Sequence, residues 1–269
     1  MCTKGRRIAG IAAKKVRGLH LTVLLLMVLS VAGCSSTSSH NEQPTNSSAV
    51  APAGKRLPPD LDMSFRWIPT NVLGLETPEG SFVRAYTESF ELAFEGQSME
   101  WGYPGFAAAS PPGTDERIRL VASDSQTSRV VNTLFLRPLR REDSDDRSRL
   151  IVCRSELLSI EQRSDGGGVT WRNIGNRWAY PITIEFVRTG ERLPPADQHG
   201  PQTTPFTSMF GSWQVSFFDR LGMGPENRAD HIACNALPPN PDLPRVGVET
   251  GPEPWPVLPP SPGWPANGL

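Results

Sequence analysis

Sulfur is the first chemistry this sequence offers. It contains four cysteines, Cys2, Cys34, Cys153 and Cys234, and none stands in a Cys-x-x-Cys pair of the kind that redox dithiols and zinc knuckles use. Of its four histidines only His199 and His231 fall in sequence dense enough to fold, both in loop-like stretches without H-E-x-x-H spacing. Gly211-Ser212-Trp213 lacks the G-x-S-x-G pattern of a serine hydrolase. Ser164-Asp165-Gly166-Gly167-Gly168 lacks the lysine and following helix of a phosphate loop and reads as a turn. Glu88 and Glu91 are one of many carboxylate pairs, and without geometry none is preferred for glycoside chemistry. The run RREDSDDR, residues 140–147, reads as a solvated hairpin tip. Its acids Glu142, Asp143, Asp145 and Asp146 offer calcium as the alternative, but lack EF-hand spacing and its closing glutamate. These residues predict no catalytic set, no metal site, no cofactor and no enzyme.

Cys34 differs from the other thiols because of what precedes it. Lys4, Arg6, Arg7, Lys14, Lys15 and Arg17 form a basic region without an acidic residue, and Leu21–Val31 is an apolar run broken only by Thr22 and Ser30. That order is the one of an export signal, and the run is shorter than the roughly 20 residues of a spanning helix. Arg6-Arg7 raises twin-arginine export, which Ile8-Ala9-Gly10 fits poorly. The run ends Val31-Ala32-Gly33-Cys34, which resembles the lipobox of bacterial lipoproteins. The resemblance implies a signal peptide over residues 1–33, cleavage before Cys34, and a diacylglyceryl group on its thiol. Palmitate is among the acyl chains such an anchor carries. Two chains on one residue suffice for stable anchoring, so the expected location is the extracytoplasmic face of a cell membrane.

Composition narrows the partners. Six of the 27 basic residues and none of the 28 acidic ones precede Cys34, leaving 21 against 28, a net of minus seven. An acidic domain argues against nucleic acid and against electrostatic adhesion to anionic lipid. Only Lys55 is lysine beyond Cys34 and the rest are arginine, a codon bias that suggests a GC-rich and, with the lipobox, actinobacterial host. In an oxidising compartment Cys153 and Cys234 are expected to form a disulfide. A reactive thiol pair and two separate buried thiols remain as alternatives.

Organisation follows from composition. Residues 34–56 are small and polar and read as a flexible tether. Residues 57–236 read as one domain, opening with an arm whose prolines at 58, 59 and 69 forbid a long regular element. Thr77-Pro78-Glu79 is a helix start, and Phe82, Tyr86, Phe90 and Phe94 then recur on one face while Arg84, Glu88, Glu91 and Glu95 fall on others. The spacing predicts a helix over about 78–95, roughly 27 Å long. Its aromatic stripe reads as core, or as the lining of a ligand pocket. Strands are predicted at Arg117 (RIRLVA), Arg129–Leu139, Ser148–Ile160, Ile182 (ITIEFVRT) and Gly211 (GSWQVSFFDR), with Trp213, Val215 and Phe217 on one face of the last. Residues 237–269 contain eleven prolines and read as a polyproline-type tail. Wrapping the domain, crossing the wall, and presenting PEPWP to a partner are equally compatible with it.

A helix followed by strands predicts an α+β fold, an antiparallel curved sheet with the long N-terminal helix on its concave face. That order resembles the nuclear-transport-factor-2-like cone fold over about Pro78 to Cys234, in which the mouth of the cone binds small molecules or stays closed. The expected function is non-catalytic: an accessory lipoprotein that binds a protein partner in an envelope assembly. The alternative is a carrier holding a small apolar ligand against Phe82, Tyr86, Phe90 and Phe94.

Overall fold

A computed structural model describes residues 57–121, 128–243 and 246–266. The expected signal peptide, Cys34 and the tether lie outside the described residues. In chain order the elements are β1 (Leu61–Trp67), α1 (Pro78–Glu95), α2 (Phe106–Ala109), α3 (Thr114–Val121), β2 (Val130–Asp143), β3 (Arg147–Arg163), β4 (Val169–Val187), β5 (Gln214–Asp219), α4 (Arg228–Asn235) and β6 (Gly247–Gly251). The fold mixes α and β, with few helices and one open, predominantly antiparallel sheet. Its order is β1-β2-β3-β4-β5, with β6 added to β4. Among the strands of the described residues only β1 and β2 pair in parallel, and the crossover between them carries α1.

Helix α1 begins where its sequence says it should. The Thr77 side chain accepts the Gly80 N–H at 3.1 Å and Pro78 fills the first turn, satisfying a backbone donor the helix cannot. Gly80 lets the helix start against the preceding loop, since a Cβ there would lie 2.1 Å from the Gly74 carbonyl oxygen. Every residue from Gly80 to Ala93 is buried, the charged ones included.

The aromatic stripe is core. Phe82 lies 5.1 Å from Phe186 and 5.6 Å from Trp213, Tyr86 lies 5.2 Å from Phe106, and Phe90 lies 4.4 Å from Phe218, centroid to centroid. Leu134 and Leu136 of β2, Leu150 and Val152 of β3, and Ile182 and Ile184 of β4 complete this layer. The opposite face of the sheet is buried too. Phe135, Cys153 and Leu157 pack there with Cys234 and Trp255, flanked by Leu237 and Leu258. A disulfide joins Cys153 of β3 to Cys234 of α4, pinning that second layer to the sheet.

Three local expectations give way. RIRLVA at Arg117 is the helix α3, not a strand. Asp115 and Glu116 occupy its first turn, Arg119 pairs with Asp115 at 3.0 Å, and Ile118 is its fully buried anchor. Six alternating residues fit either period, and helix-compatible charges decide here. The arm before α1 contains a regular strand, since its prolines flank β1 instead of interrupting it. In β5 the alternation breaks: a register shift between Glu185 and Phe186 of β4 leaves Phe217 43% exposed and Phe218 fully buried, as a bulge does.

The proline-rich segment is packed. Ser261 bonds the free edge of β1 through Trp67 N to Ser261 O at 2.6 Å and Ser261 N to Phe65 O at 3.0 Å. β6 pairs residues 171–175 of β4. Trp264 is 1% exposed.

Candidate functional site

Two buried charge clusters lie along α1. Near its middle, Glu88 accepts hydrogen bonds from Trp67 Nε1 at 2.8 Å, the Tyr103 hydroxyl at 2.7 Å and Trp264 Nε1 at 2.8 Å. One turn earlier Arg84 donates to the carbonyls of Leu75, Gln198, Pro262 and Gly263 at 2.7–3.2 Å, with its guanidinium 4.3 Å from the Trp264 ring centroid. Burial pushes the Glu88 carboxyl above its ordinary range, against the pull of Arg84 and its three donors. This cluster fastens strand, helix and C-terminal segment together.

The second cluster is open on one side. Glu79, at the start of α1, faces Arg141 near the far end of β2 and Arg188 just after β4. Glu91, near its other end, lies 3.6 Å from Arg154 of β3. Beyond Arg154 the strand continues to Arg163, about 30 Å at roughly 3.3 Å per residue. Because the helix ends at Glu95, the sheet overhangs it and leaves a cleft of about 530 Å³, within the usual range of roughly 300–1,000 Å³ for small-molecule sites.

Alternation builds its floor. Arg154, Glu156, Leu158 and Ile160 of β3 point to the α1 side, beside Val130 and Asn132 of β2, with Phe94, Leu221 and Met223 as walls. Arg154 donates to Glu156 at 2.9 Å, and Arg220 donates to Glu91 at 2.9 Å and to Glu95 at 3.2 Å. Asn176 and Asn132 reach the two Glu156 oxygens at 3.1 and 3.5 Å. The Arg220 guanidinium sits 4.0 Å from the Phe94 ring centroid, a cation–π contact. Burial alone would lower the Arg154 pKa, but Glu91 and Glu156 hold it above the ordinary value. Glu156 ends below its usual range because Arg154 and Arg220 outweigh burial. Glu95 is raised, first by burial.

Three buried side-chain atoms of this cluster, Arg154 Nε, Asn132 Oδ1 and Glu91 Oε1, lack a hydrogen-bond partner. Arg154 is 5% exposed and Asn132 3%. An unpaired buried donor or acceptor costs about 1–3 kcal/mol. Another cleft, about 690 Å³ and larger, lies between the β1–α1 loop, residues 196–197 and residues 261–262. None of its lining side chains has an unpaired buried polar atom, and Glu76 and Asp197 are its only acids. Chemistry, not size, makes the smaller cleft the candidate.

The structure separates the four stripe residues. Phe82, Tyr86 and Phe90 are core, while Phe94 borders the cleft and Phe90 also lines a smaller cavity beneath Asp219 and Leu221. His199 lies 3.8 Å from Glu76, and His231 contacts the Gly222 carbonyl at 3.0 Å. Glu142 and Asp143 are engaged by Arg140 and Arg141. Among the described residues no group of three or more His, Cys, Asp or Glu is placed to hold a metal. The floor residues Arg154, Glu156, Asn132 and Arg220 are absent from the sequence reading. A signal for two of them exists: Arg154 and Glu156 stand two apart, hence on one face, and are the two charges in the strand stretch LIVCRSELLSI. No protein-family model, no curated protein and no solved structure matches the chain.

Proposed function

We propose that the chain is a cell-envelope lipoprotein, held to the extracytoplasmic face of a membrane through a lipid on Cys34, whose folded domain is a non-catalytic binding module. The lipobox tetrad and the signal before it support the anchor. The observation that carries the binding reading is the cleft beyond α1, with a paired ionic floor and the apolar side chains of Leu158 and Ile160 beside it.

The electrostatics of the Arg154–Glu156 pair favour recognition over proton transfer. The Arg154 pKa is held up and that of Glu156 down by one another, so both stay charged at neutral pH and neither is poised to exchange a proton. The helix followed by four antiparallel strands supports the resemblance to the cone fold. The apolar-carrier reading needs the stripe to be open, and Phe82, Tyr86 and Phe90 are packed against the chain's own rings. A ligand or accessory partner therefore enters at Phe94 and beyond.

Two measurements test this. An alkynyl palmitate fed to the producing cell labels the wild-type protein, and Cys34→Ser abolishes the label and releases the protein from the membrane fraction. Native mass spectra of protein from the envelope show a bound mass that Leu158→Trp, which fills the cleft, removes. A Cys34→Ser protein that still takes the label refutes the anchor, and a bound mass indifferent to Leu158→Trp refutes the cleft.

A further inference from the structure

We infer that residues 247–264 are exchanged between molecules: the segment of one copy docks on the sheet of a second, joining two chains into a dimer. The seat lies on the face of the sheet away from α1 and reads the segment through its main chain. Asn173 of β4 donates to the Glu253 carbonyl at 3.2 Å, and Ser159 of β3 accepts the Trp255 N–H at 2.9 Å. Thr133 of β2 accepts the Leu258 N–H at 3.0 Å, and Ser64 of β1 donates to the Leu258 carbonyl at 2.6 Å. Arg84 of α1 then takes the Pro262 and Gly263 carbonyls at 2.8 and 2.9 Å. Six of the 13 residues from Pro252 to Trp264 are proline, so the segment keeps an extended backbone before it docks and has little conformational entropy to lose.

The seat has the make-up of an interface and not of a core. Four adjacent strands each place one small polar side chain under the segment, and these residues are at most 2% exposed. Apolar residues would fill the same positions of a permanent core without any hydrogen bond to satisfy. The polar ones are satisfied by the segment when it is docked and by water when it is not. The far end behaves alike. Burial lowers the Arg84 pKa and raises that of Glu88, so docking dehydrates both groups and release restores their water. Specificity comes from two indoles, Trp255 on Glu249 and Trp264 on Glu88, each at 2.8 Å. Both are apolar rings with one polar tip, of the kind that anchors protein interfaces.

Glu249 belongs to β6, so β6 and the proline-rich segment move together. Among the described residues β6 pairs with β4 alone, and residues 246–250 are exposed. Covalent fastening ends at Cys234. Beyond it the chain makes a turn in which Asn240 accepts the Asp242 N–H through Oδ1 at 3.0 Å and the Leu243 N–H through its carbonyl at 3.1 Å. Asn240 Nδ2 is buried there without a partner. Opening the turn gives both N–H groups to water and relieves the unpaired amide. Residues 236–243 then span about 25 Å at roughly 3.1 Å per residue, enough to reach a neighbouring molecule. A second copy supplies every contact that the seat makes within one chain, both indoles included. Exchange therefore alters the turn and leaves the bonds of the seat unchanged.

The test uses the full-length chain with Arg66→Cys and Ser261→Cys, positions bridged across the edge of β1. Isotopically light and heavy samples are mixed, held in urea just below the unfolding midpoint, returned to buffer, oxidised and digested. A disulfide joining position 66 of a light chain to position 261 of a heavy one is expected. Its share should rise at least tenfold between about 1 and 100 µM, as association requires. Deleting Pro241 and Asp242, which removes the turn, is expected to make the dimer the main species. The parent protein without added cysteines should show the dimer mass by light scattering after the same treatment. Disulfides within one isotope alone at every concentration overturn the inference, whether or not the parent protein dimerises. A parent protein that stays monomeric at the highest concentration overturns it as well.

Discussion

Glu88 shows how one side chain can tie distant sequence together. Its three donors come from residues 21, 15 and 176 positions away, and each is a buried ring that would lose a hydrogen bond if the carboxylate left. Burial is the largest influence on Glu88 and raises its pKa in the folded state above the 4.5 it starts from. The folded protein thus binds this proton more tightly than the unfolded chain does. Its contribution to stability is full below the unfolded pKa and is lost as pH rises through the folded one. As pH rises from about 4.5, the urea midpoint of the wild type should therefore decline relative to that of Glu88→Gln. A constant difference between the two proteins across that range would mean that Glu88 does not hold the proton as described. Trp264→Ala should be severe, about 3–5 kcal/mol for emptying a buried aromatic site, since Trp264 also carries the Arg84 contact.

At the scale of elements, the sheet is clad on both faces, and the second cladding is short and proline-rich. Eight-residue α4 and the segment after it have little regular structure to hold them. The Cys153–Cys234 bond, closing a sequence separation of 81, therefore carries much of the attachment. The chain-entropy model gives about 4.5 kcal/mol for such a loop. Cys153→Ala with Cys234→Ala should lower stability by about 2–5 kcal/mol, read as the urea midpoint. Arg140 and Asp230 make a second tie between β2 and α4, with bonds of 2.7 and 2.9 Å, so the doubly substituted protein should still fold. Helix α1 offers a milder test: Thr77→Ala removes its cap and should cost about 1 kcal/mol. By contrast Phe82→Ala, in the middle of the ring cluster, should cost about 3–5 kcal/mol.

At the scale of the whole molecule, the sequence carried what is local and lost what is not. The Thr77-Pro78 cap and the stripe from Phe82 to Phe94 point to α1, and two spare cysteines in an exported chain point to the bridge. Helix α3 was hidden because RIRLVA is too short to distinguish two periods. The bulge in β5 was hidden because Trp213, Val215 and Phe217 alternate without a break in sequence. Proline content describes the backbone preference of the last segment but not its docking site, which depends on Glu88 and Arg84 far up the chain. The cleft was half legible. Arg154 and Glu156 show themselves as charges on one face of a buried strand, whereas Asn132, Glu91 and Arg220 join them only through the packing of β2, α1 and the turn after β5. Arg84, Glu88 and Glu91 fall outside the aromatic stripe, and they too are buried.

The central claim is that the cleft beyond α1 is a binding site. The most direct measurement is a crystal structure of the protein isolated from its own envelope without a delipidating step. The account predicts continuous density along Leu158 and Ile160, between Phe94 and Met223. A cleft occupied by water alone in protein so isolated would contradict it.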